Sequence, residues 1–225
     1  MSDYQHHWKD GTPLQLPLGK IVCVGRNYAE HARELNNPVP DEPLLFIKPA
    51  TAAVHLTRPI HLPRDRGSVH FETELAVLIG RPLTNASPSE AETAILGYGL
   101  ALDLTLRDLQ NQLKALGQPW ERAKAFDGAC PLSPFVPMDQ LPRDHLTFTL
   151  DINRQRQQTG DTRDMLNQIV PLIAHMSSYF TLLPGDVILT GTPSGVGPLE
   201  PGQTLSLELE RALFVETRVA AAGNP

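Results

Sequence analysis

Residues 69–80 form the most informative stretch of the chain: Val69-His70-Phe71-Glu72-Thr73-Glu74-Leu75-Ala76-Val77-Leu78-Ile79-Gly80. Its apolar, β-branched character is typical of a buried β-strand. Side chains alternate between the two faces of a strand, so Glu72 and Glu74 are expected on one face, with their Cα atoms roughly 7 Å apart. Leu75, Val77 and Ile79 are expected on the opposite, core-facing side. The stretch therefore predicts a strand that carries two carboxylates at the edge of a core.

Two neighbouring carboxylates at such an edge are costly unless a positive charge lies between them. A hard divalent cation, Mg²⁺ or Mn²⁺, is the simplest candidate because it prefers oxygen ligands. The alternative is a solvated strand face, on which Glu-x-Glu is common without any metal. A third carboxylate, Asp103, follows the apolar run Gly97–Leu102 and favours the metal. Asp103 as a helix cap is less favoured, since Thr105 is the better cap for the helix that follows.

The composition indicates one soluble globular domain. The chain has 225 residues and a formal net charge of −6, which gives no electrostatic case for nucleic acid or an anionic membrane. We find no apolar run long enough to span a bilayer and no signal-peptide pattern at the N-terminus. The two cysteines, Cys23 and Cys130, lie far apart and are expected to be buried and reduced. These features predict a cytoplasmic protein.

The secondary-structure pattern is β-rich with few helices, and it predicts a mixed, β-dominated α+β fold. A hairpin is predicted after strand Leu146–Ile152, with its turn at Asn153-Arg154. Ser87-Pro88-Ser89-Glu90 is typical of a capped helix start. The remaining helices are predicted at Asn27–Leu35, at Thr105–Leu116, and at Met165–Phe180 with a kink at Pro171. Prolines at positions 38–43 indicate a structured loop.

Several motifs in this order resemble the fumarylacetoacetate hydrolase family, and its single-domain acylpyruvate hydrolase branch in particular. The matching stretches are Gly25-Arg26-Asn27-Tyr28 with His31 and Glu34, Pro43–Pro49, His70–Leu75, Asp103 through Arg107–Gln110, Ala123–Asp127, Gly160-Asp161-Thr162, and Leu189–Gly197. They span roughly residues 18 to 210. The resemblance implies rolled, mostly antiparallel β-sheets, an N-terminal extension over residues 1–17, a catalytic domain over residues 18–225, and a homodimer.

The resemblance also implies roles for individual side chains. The metal ligands would be Glu72, Glu74 and Asp103, the catalytic residues His31, Glu34 and Lys124, and the substrate-binding residues Arg26, Arg107, Gln110 and Thr192. From the residues alone, His31 and Glu34 lie three apart on a helix and can touch, although an ordinary exposed pair is the commoner case. The sequence alone predicts that Lys124 is a surface lysine, and only the resemblance assigns it to the site. In this family the segment with His31 and Glu34 acts as a lid.

Together with the family resemblance, this set of residues predicts a Mg²⁺-dependent hydrolase, in which Mn²⁺ could replace Mg²⁺. Its substrates would be acylpyruvate-type 2,4-dioxo acids, which it would cleave to pyruvate and a carboxylic acid. The same site permits an oxaloacetate decarboxylase, or an isomerase or tautomerase of an unsaturated 2-oxo acid in aromatic catabolism. From another class, the chain could be a non-catalytic protein that binds a metal and a dicarboxylate. One departure from the family pattern is Leu102, where asparagine is common before the metal-binding aspartate.

Overall fold

The computed structural model describes residues 4–34 and 41–220. The strands in these ranges are β1 (Lys20–Gly25), β2 (Leu44–Pro49), β3 (Ala53–His55), β4 (Val69–Phe71), β5 (Thr73–Ile79), β6 (Ile95–Leu102), β7 (Thr105–Leu106), β8 (Cys130–Leu132), β9 (Val136–Pro137), β10 (Thr147–Ile152), β11 (Gln155–Asp161), β12 (Val187–Leu189), β13 (Gly197–Pro198), β14 (Thr204–Leu209) and β15 (Leu213–Arg218). The helices are α1 (Ala29–Glu34), α2 (Pro88–Ala94), α3 (Arg107–Ala115), α4 (Glu121–Lys124) and α5 (Ile169–Tyr179). Short 3₁₀ turns cover Ala50–Ala52, Met138–Gln140 and Thr162–Asp164.

The strands form three curled sheets, and the predicted α+β fold is confirmed. The largest sheet has eight strands in the order β2-β1-β12-β5-β6-β8-β3, with β9 paired to β6. A four-stranded sheet runs β11-β10-β14-β15, and a three-stranded sheet runs β13-β4-β7. Only the β1–β12 and β3–β8 pairs among these strands are parallel. The mostly antiparallel pairing therefore agrees with the sequence-based expectation.

Strand β5 lies in the middle of the eight-stranded sheet and is buried on both faces. Leu75, Val77 and Ile79 belong to the larger apolar core, while Ala76 and Leu78 belong to a second core on the other side of the sheet. The period of two predicted for this strand is confirmed, but both faces are covered rather than one. The strand is also shorter than the sequence suggested, because the extended pairing stops at Glu72, between β4 and β5.

Several local predictions can be compared with the structure. The capping box at Ser87 is present, with Glu90 as its partner. The hairpin turn at Asn153-Arg154 is confirmed, and both residues have positive φ angles of 51° and 66°. Positive φ at both central positions is what a tight two-residue hairpin turn requires.

Two helix predictions were wrong in detail. Thr105 does not cap α3, because residues 105–106 form strand β7 and the Thr105 hydroxyl donates to the Asp103 carbonyl at 3.1 Å. The helix α5 begins at Ile169, so Pro171 lies in its first turn, where a missing N–H leaves no helical bond broken. No kink is therefore required. The predicted helix end at Leu35 and the loop prolines Pro38 and Pro40 lie outside the described residues.

The N-terminal residues 4–17 pack against the rest of the molecule. Trp8 bridges to Phe135, and the buried His6 ring bonds through Nε2 to the Gly185 carbonyl oxygen at 2.9 Å. Gly185 has φ +94°, and a Cβ there would meet the Pro17 carbonyl oxygen at 2.1 Å. The turn at Gly185 therefore admits only glycine. The domain boundary at residue 18 stays a prediction.

None of the described helices is long and apolar enough to cross a membrane.

The His6 ring makes the fold sensitive to acid. Burial lowers its pKa from 6.5 to about 4, with smaller effects of His7 and His55 in the same direction, partly offset by the bond to Gly185 and the charge of Asp186. The unfolded chain thus takes up a proton at higher pH than the folded chain, so this contribution to stability is complete above pH 6.5 and is lost as the pH falls towards 4.

We expect the free energy of unfolding of the wild-type protein to drop relative to His6→Gln by about 3 kcal/mol between pH 7 and pH 4, because each pKa unit corresponds to about 1.4 kcal/mol. Urea unfolding of both proteins across this range measures the difference. His61→Gln, at an exposed position, is the control and should run parallel to wild type. A pH-independent difference for His6→Gln would show that the ring titrates normally in the folded state.

Candidate active site

Strand pairing brings the three predicted metal-ligating carboxylates together. Strands β5 and β6 are antiparallel, with Thr73 opposite Leu102 and Glu74 opposite Ala101. The pairing extends one residue further, since the Asp103 N–H donates to the Glu72 carbonyl at 2.8 Å. Asp103 therefore lies across from Glu72, although thirty residues separate them in the sequence.

The three carboxylates form a buried cluster. One oxygen atom from each of Glu72, Glu74 and Asp103 lies within 4.8 Å of the other two. All three side chains are nearly inaccessible, and Glu74 also accepts a hydrogen bond from the Gly191 N–H at 2.7 Å. A compact set of carboxylate oxygens is the donor set that Mg²⁺ and Mn²⁺ prefer. The cluster therefore fits the divalent cation that the sequence predicted.

Positively charged side chains surround this acid cluster. The Lys124 ammonium donates to Glu72 at 2.7 Å and to Asp103 at 2.6 Å, and only 2% of the residue is exposed. Arg107 is ion-paired with Glu72 and donates to the Gln110 side-chain oxygen at 2.7 Å. Lys124 is thus not the surface lysine that its sequence context suggested. Arg107 and Gln110 contact each other in this structure, as their spacing on one helix face allows.

Lys48 is a member of the site that the sequence analysis missed. It is among the largest fully buried side chains of the described residues, and its ammonium lies 2.8 Å from Asp103 Oδ1. It also donates to the backbone carbonyl oxygens of Lys124 and Ala129. A signal was present in the sequence, because Lys48 shares a strand face with Phe46 within the apolar run 44–49.

The acids differ in how easily they lose a proton. Burial alone would raise the pKa of Glu72, but the charges of Lys124 and Arg107 outweigh it and hold that pKa well below the usual value. For Glu74, burial and the nearby charges of Asp103 and Glu72 act together and raise the pKa well above its ordinary range. Glu74 therefore has the strongest need for an added cation.

His31 and Glu34 form the predicted pair on helix α1. His31 Nδ1 lies 3.3 Å from Glu34 Oε2, and His31 is 5% exposed. The second oxygen of Glu34 accepts a hydrogen bond from the Gly195 N–H at 3.0 Å. This contact ties the short helix to the glycine-rich turn after β12. The pair is thus buried at the imidazole and anchored at the carboxylate.

The remaining predicted residues line one cleft with the acid cluster. The cleft is bounded by His31, the three acids, Arg107, Gln110 and Lys124, together with Arg26, Thr192, Val24, Gly25, Phe46, Lys114 and Trp120. Nine of the ten side chains that were assigned to the site by resemblance therefore line one cleft, and the tenth, Glu34, contacts His31. Arg26 has a positive φ of 60°, an uncommon conformation for a residue with a side chain.

Thr192 has a structural contact that sequence reasoning did not foresee. Its hydroxyl donates to the Thr73 carbonyl oxygen at 2.9 Å and accepts from the Gln158 amide at 2.9 Å. Gln158 also accepts from the Thr73 N–H at 3.0 Å, so it joins the glycine-rich turn to the start of β5. Gln158 was missed because it lies on a hairpin strand whose other residues are mostly exposed.

The chain belongs to the fumarylacetoacetate hydrolase family. The family described as "Fumarylacetoacetate (FAA) hydrolase C-terminal" matches residues 20–220, which is nearly the whole chain. This membership, on top of the fold and the buried acid cluster, identifies the class of protein as an enzyme family with a site suited to a divalent metal.

The chain is similar to several proteins that carry the names of specific enzymes. The chain is 54% identical over 209 residues to the oxaloacetate tautomerase YcgM of Escherichia coli K12, covering 92% of this chain and 95% of that protein. It is 43% identical over 188 residues to a mitochondrial oxaloacetate decarboxylase of Dictyostelium discoideum, covering 83% and 86%. The crystal structure of a fumarylpyruvate hydrolase from Pseudomonas aeruginosa, in complex with Mn²⁺ and pyruvate, superimposes with a TM-score of 0.91 at 32% identity, covering 98% and 97%.

Neutralising Glu74 tests the acid cluster as a metal site. In Glu74→Gln the amide keeps an acceptor for Gly191 and removes the repulsion from Glu72 and Asp103, so the metal-free protein should be no less stable than wild type. Binding of a metal at about 100 times its Kd adds roughly 3 kcal/mol to the stability. We expect millimolar MnCl₂ to raise the Tm of wild type by several degrees, and that of Glu74→Gln hardly at all.

Thermal unfolding in EDTA and in MnCl₂ measures both effects. Glu92→Gln, which removes an exposed carboxylate, is the matched control and should keep the full metal-dependent shift. An undiminished shift in Glu74→Gln would exclude Glu74 from the metal site.

Proposed function

We propose that this protein is a divalent-metal-dependent enzyme that interconverts the keto and enol forms of oxaloacetate or a closely similar 2-oxo dicarboxylate. The observation that carries the proposal is the His31–Glu34 pair, whose buried imidazole lines the same cleft as the acid cluster and Lys124. A base in the same cleft as a cation site and an ammonium group is what proton transfer next to a carbonyl needs. The identity of 54% to an oxaloacetate tautomerase supports the choice of reaction.

The residues divide the chemistry between them. Nδ1 of His31 lies against Glu34, and a proton held there leaves the Nε2 lone pair to act as the base. In the keto form, Nε2 takes the proton from C3, the C–H electron pair forms the C2–C3 double bond, and the C2 oxygen gains negative charge. That oxygen then takes a proton back from the His31 imidazolium, directly or through a water molecule, which completes the enol and restores the base.

Charge stabilisation comes from the floor of the cleft. A divalent cation held by Glu72, Glu74 and Asp103 would act as a Lewis acid on the 2-oxo group. Lys124 contributes an ammonium group close to the same place, where a buried charge acts more strongly than in water. Arg107 and Gln110 provide donors for the carboxylate of the 2-oxo acid.

Acylpyruvate hydrolysis is the second candidate. It is favoured by the superposition on a fumarylpyruvate hydrolase that is complexed with Mn²⁺ and pyruvate. The same His31–Glu34 pair would then activate a water molecule against the distal carbonyl. The order of the two candidates differs from that of the sequence analysis, because the relative with the tautomerase name has the higher identity. Decarboxylation of oxaloacetate is a third candidate, which is supported by the similarity to the oxaloacetate decarboxylase of Dictyostelium.

Three accompanying features stay proposals. They are Mg²⁺ as the native metal, assembly as a homodimer, and a cytoplasmic location.

Replacing the base should separate proton transfer from decarboxylation. We expect His31→Asn to slow tautomerisation of oxaloacetate by at least about 100-fold, the usual contribution of a general base. Decarboxylation should fall much less, because loss of CO₂ requires an electron sink but no base. The disappearance of enol absorbance follows the first reaction, and pyruvate formation follows the second. His145→Asn is the matched control, since His145 also pairs with a carboxylate, Asp144, at 2.8 Å but away from the cleft.

Equal losses of both activities in His31→Asn would contradict the assigned role of the pair. Unaltered tautomerisation in that variant would contradict it as well.

A substrate panel ranks the candidate reactions. The purified protein is given oxaloacetate, acetylpyruvate and fumarylpyruvate, each with Mg²⁺ or with EDTA. We expect metal-dependent tautomerisation of oxaloacetate to have the highest kcat/KM, because the cleft combines a base with a cation site. Faster cleavage of an acylpyruvate would place the hydrolase first. Pyruvate formation from oxaloacetate without acceleration of its tautomerisation would place the decarboxylase first.

A further inference from the structure

One positive side chain in the cleft has no part in balancing the acid cluster. Arg107 and Lys124 form ion pairs with Glu72 or Asp103, whereas Lys114 lines the same cleft and forms no ion pair with any carboxylate in residues 4–34 and 41–220. Its ammonium instead lies 5.3 Å from the centre of the Trp120 ring. Lys114 therefore brings positive charge that is not neutralised by an acid of the cleft.

The position of Lys114 is set by an aromatic wall. The residue lies in the last turn of α3, and Trp120 lies just before α4. The Trp120 ring is 6.0 Å from the ring of Phe46, and the Lys124 ammonium is 5.2 Å from the ring of Phe46. The two aromatic rings thus form a wall with the Lys124 ammonium at one end and the Lys114 ammonium at the other. Lys124 is buried at the acid cluster, and Lys114 is half-buried on the outer side.

The electrostatics of the cleft favour an anion beside Lys114. Burial and the charges of Arg26 and Arg107 lower the pKa of Lys114 to about 8, with a smaller effect of Lys124 in the same direction, and Glu72 opposes them. The ammonium is still mostly protonated at pH 7. It is a partly desolvated cation among other cations, and a carboxylate placed there would relieve the repulsion.

We propose that Lys114 determines substrate specificity by binding the distal carboxylate of a 2-oxo dicarboxylate. This inference rests on the proposed function, which places the 2-oxo end of the substrate at the acid cluster. The Trp120 ring orients the Lys114 ammonium, so little side-chain freedom is lost when the carboxylate binds. A substrate with a neutral far end leaves the ammonium unpaired and is disfavoured.

The test compares two ligands that differ only in the distal charge. They are difluorooxaloacetate, which has no C3 proton to transfer, and its ester with the distal carboxylate methylated. Pyruvate serves as a ligand with the 2-oxo end alone. Isothermal titration calorimetry on the Mn²⁺-loaded protein gives a Kd for each. The variants are Lys114→Met, which keeps a flexible stem against Trp120, and Lys114→Arg, which keeps the charge.

We expect wild type to bind the dicarboxylate about ten-fold more tightly than its ester, as one charge-assisted contact would provide. Lys114→Met should remove most of this preference and leave the Kd of pyruvate and of the ester unchanged. Lys114→Arg should retain it. Lys9→Met, which removes an exposed lysine outside the cleft, should behave as wild type.

The two hypotheses fail in different ways. If Lys114→Met keeps the preference, or weakens all three ligands equally, Lys114 does not read the distal carboxylate and the inference is overturned. In that case the proposed function stands, because pyruvate and the dicarboxylate still bind wild type. If wild type binds none of the ligands, the assignment of a 2-oxo acid to the acid cluster is overturned, and the inference falls with it.

Discussion

The structure depends on the compensation of three buried carboxylates that lie within 4.8 Å of one another. Charged groups lose most of their hydration when they are buried, so such a cluster is tolerated only where opposite charges meet it at close range. Here Lys48 comes from β2, Arg107 from α3 and Lys124 from α4. The large sheet and two helices therefore converge on one point. Removing one partner of a buried ion pair leaves an uncompensated charge in the interior, which is costly. The ion pairs therefore hold these elements in fixed positions relative to one another.

The same constraint explains why the cluster suits a divalent cation. The fixed cations satisfy Glu72 and Asp103 but leave Glu74 with a pKa far above its ordinary value. Glu74 is nevertheless held in place by the Gly191 N–H. Gly191 has φ +93°, and a Cβ there would meet the Asn27 side chain at 2.6 Å. The turn that orients the third carboxylate thus needs glycine for two independent reasons.

The reactions named among the relatives have one requirement in common and differ in the role of the base. Tautomerisation, decarboxylation and hydrolysis all benefit from stabilising negative charge on a 2-oxo group. They differ in whether a base takes a proton from carbon, takes one from water, or is not needed. We therefore expect the His31–Glu34 pair and Lys114 to carry the distinction between them. Family membership alone does not choose among the reactions, since relatives with each of the three names match this chain.

The sequence by itself determined the local features, because they depend on neighbouring residues. The period of two in β5, the capping box at Ser87 and the hairpin turn at Asn153-Arg154 were all predictable. The acidic pair and Asp103 could also be recognised as a candidate metal site. Prediction was less successful where a contact with a distant segment decides the local structure. Thr105 is an example, because it pairs with β4 instead of capping a helix.

Only the tertiary structure decided the environment of each charge. The sequence predicts that Lys124 is a surface lysine, yet its side chain is buried between Glu72 and Asp103. Lys48 looks like the end of a strand, yet it is fully buried against Asp103. The physical reason is that a pattern of residues reports periodicity along one element, whereas burial and pairing depend on elements that are distant in sequence. The register of β5 with β6 places Asp103 opposite Glu72, and that register is a property of the folded sheet.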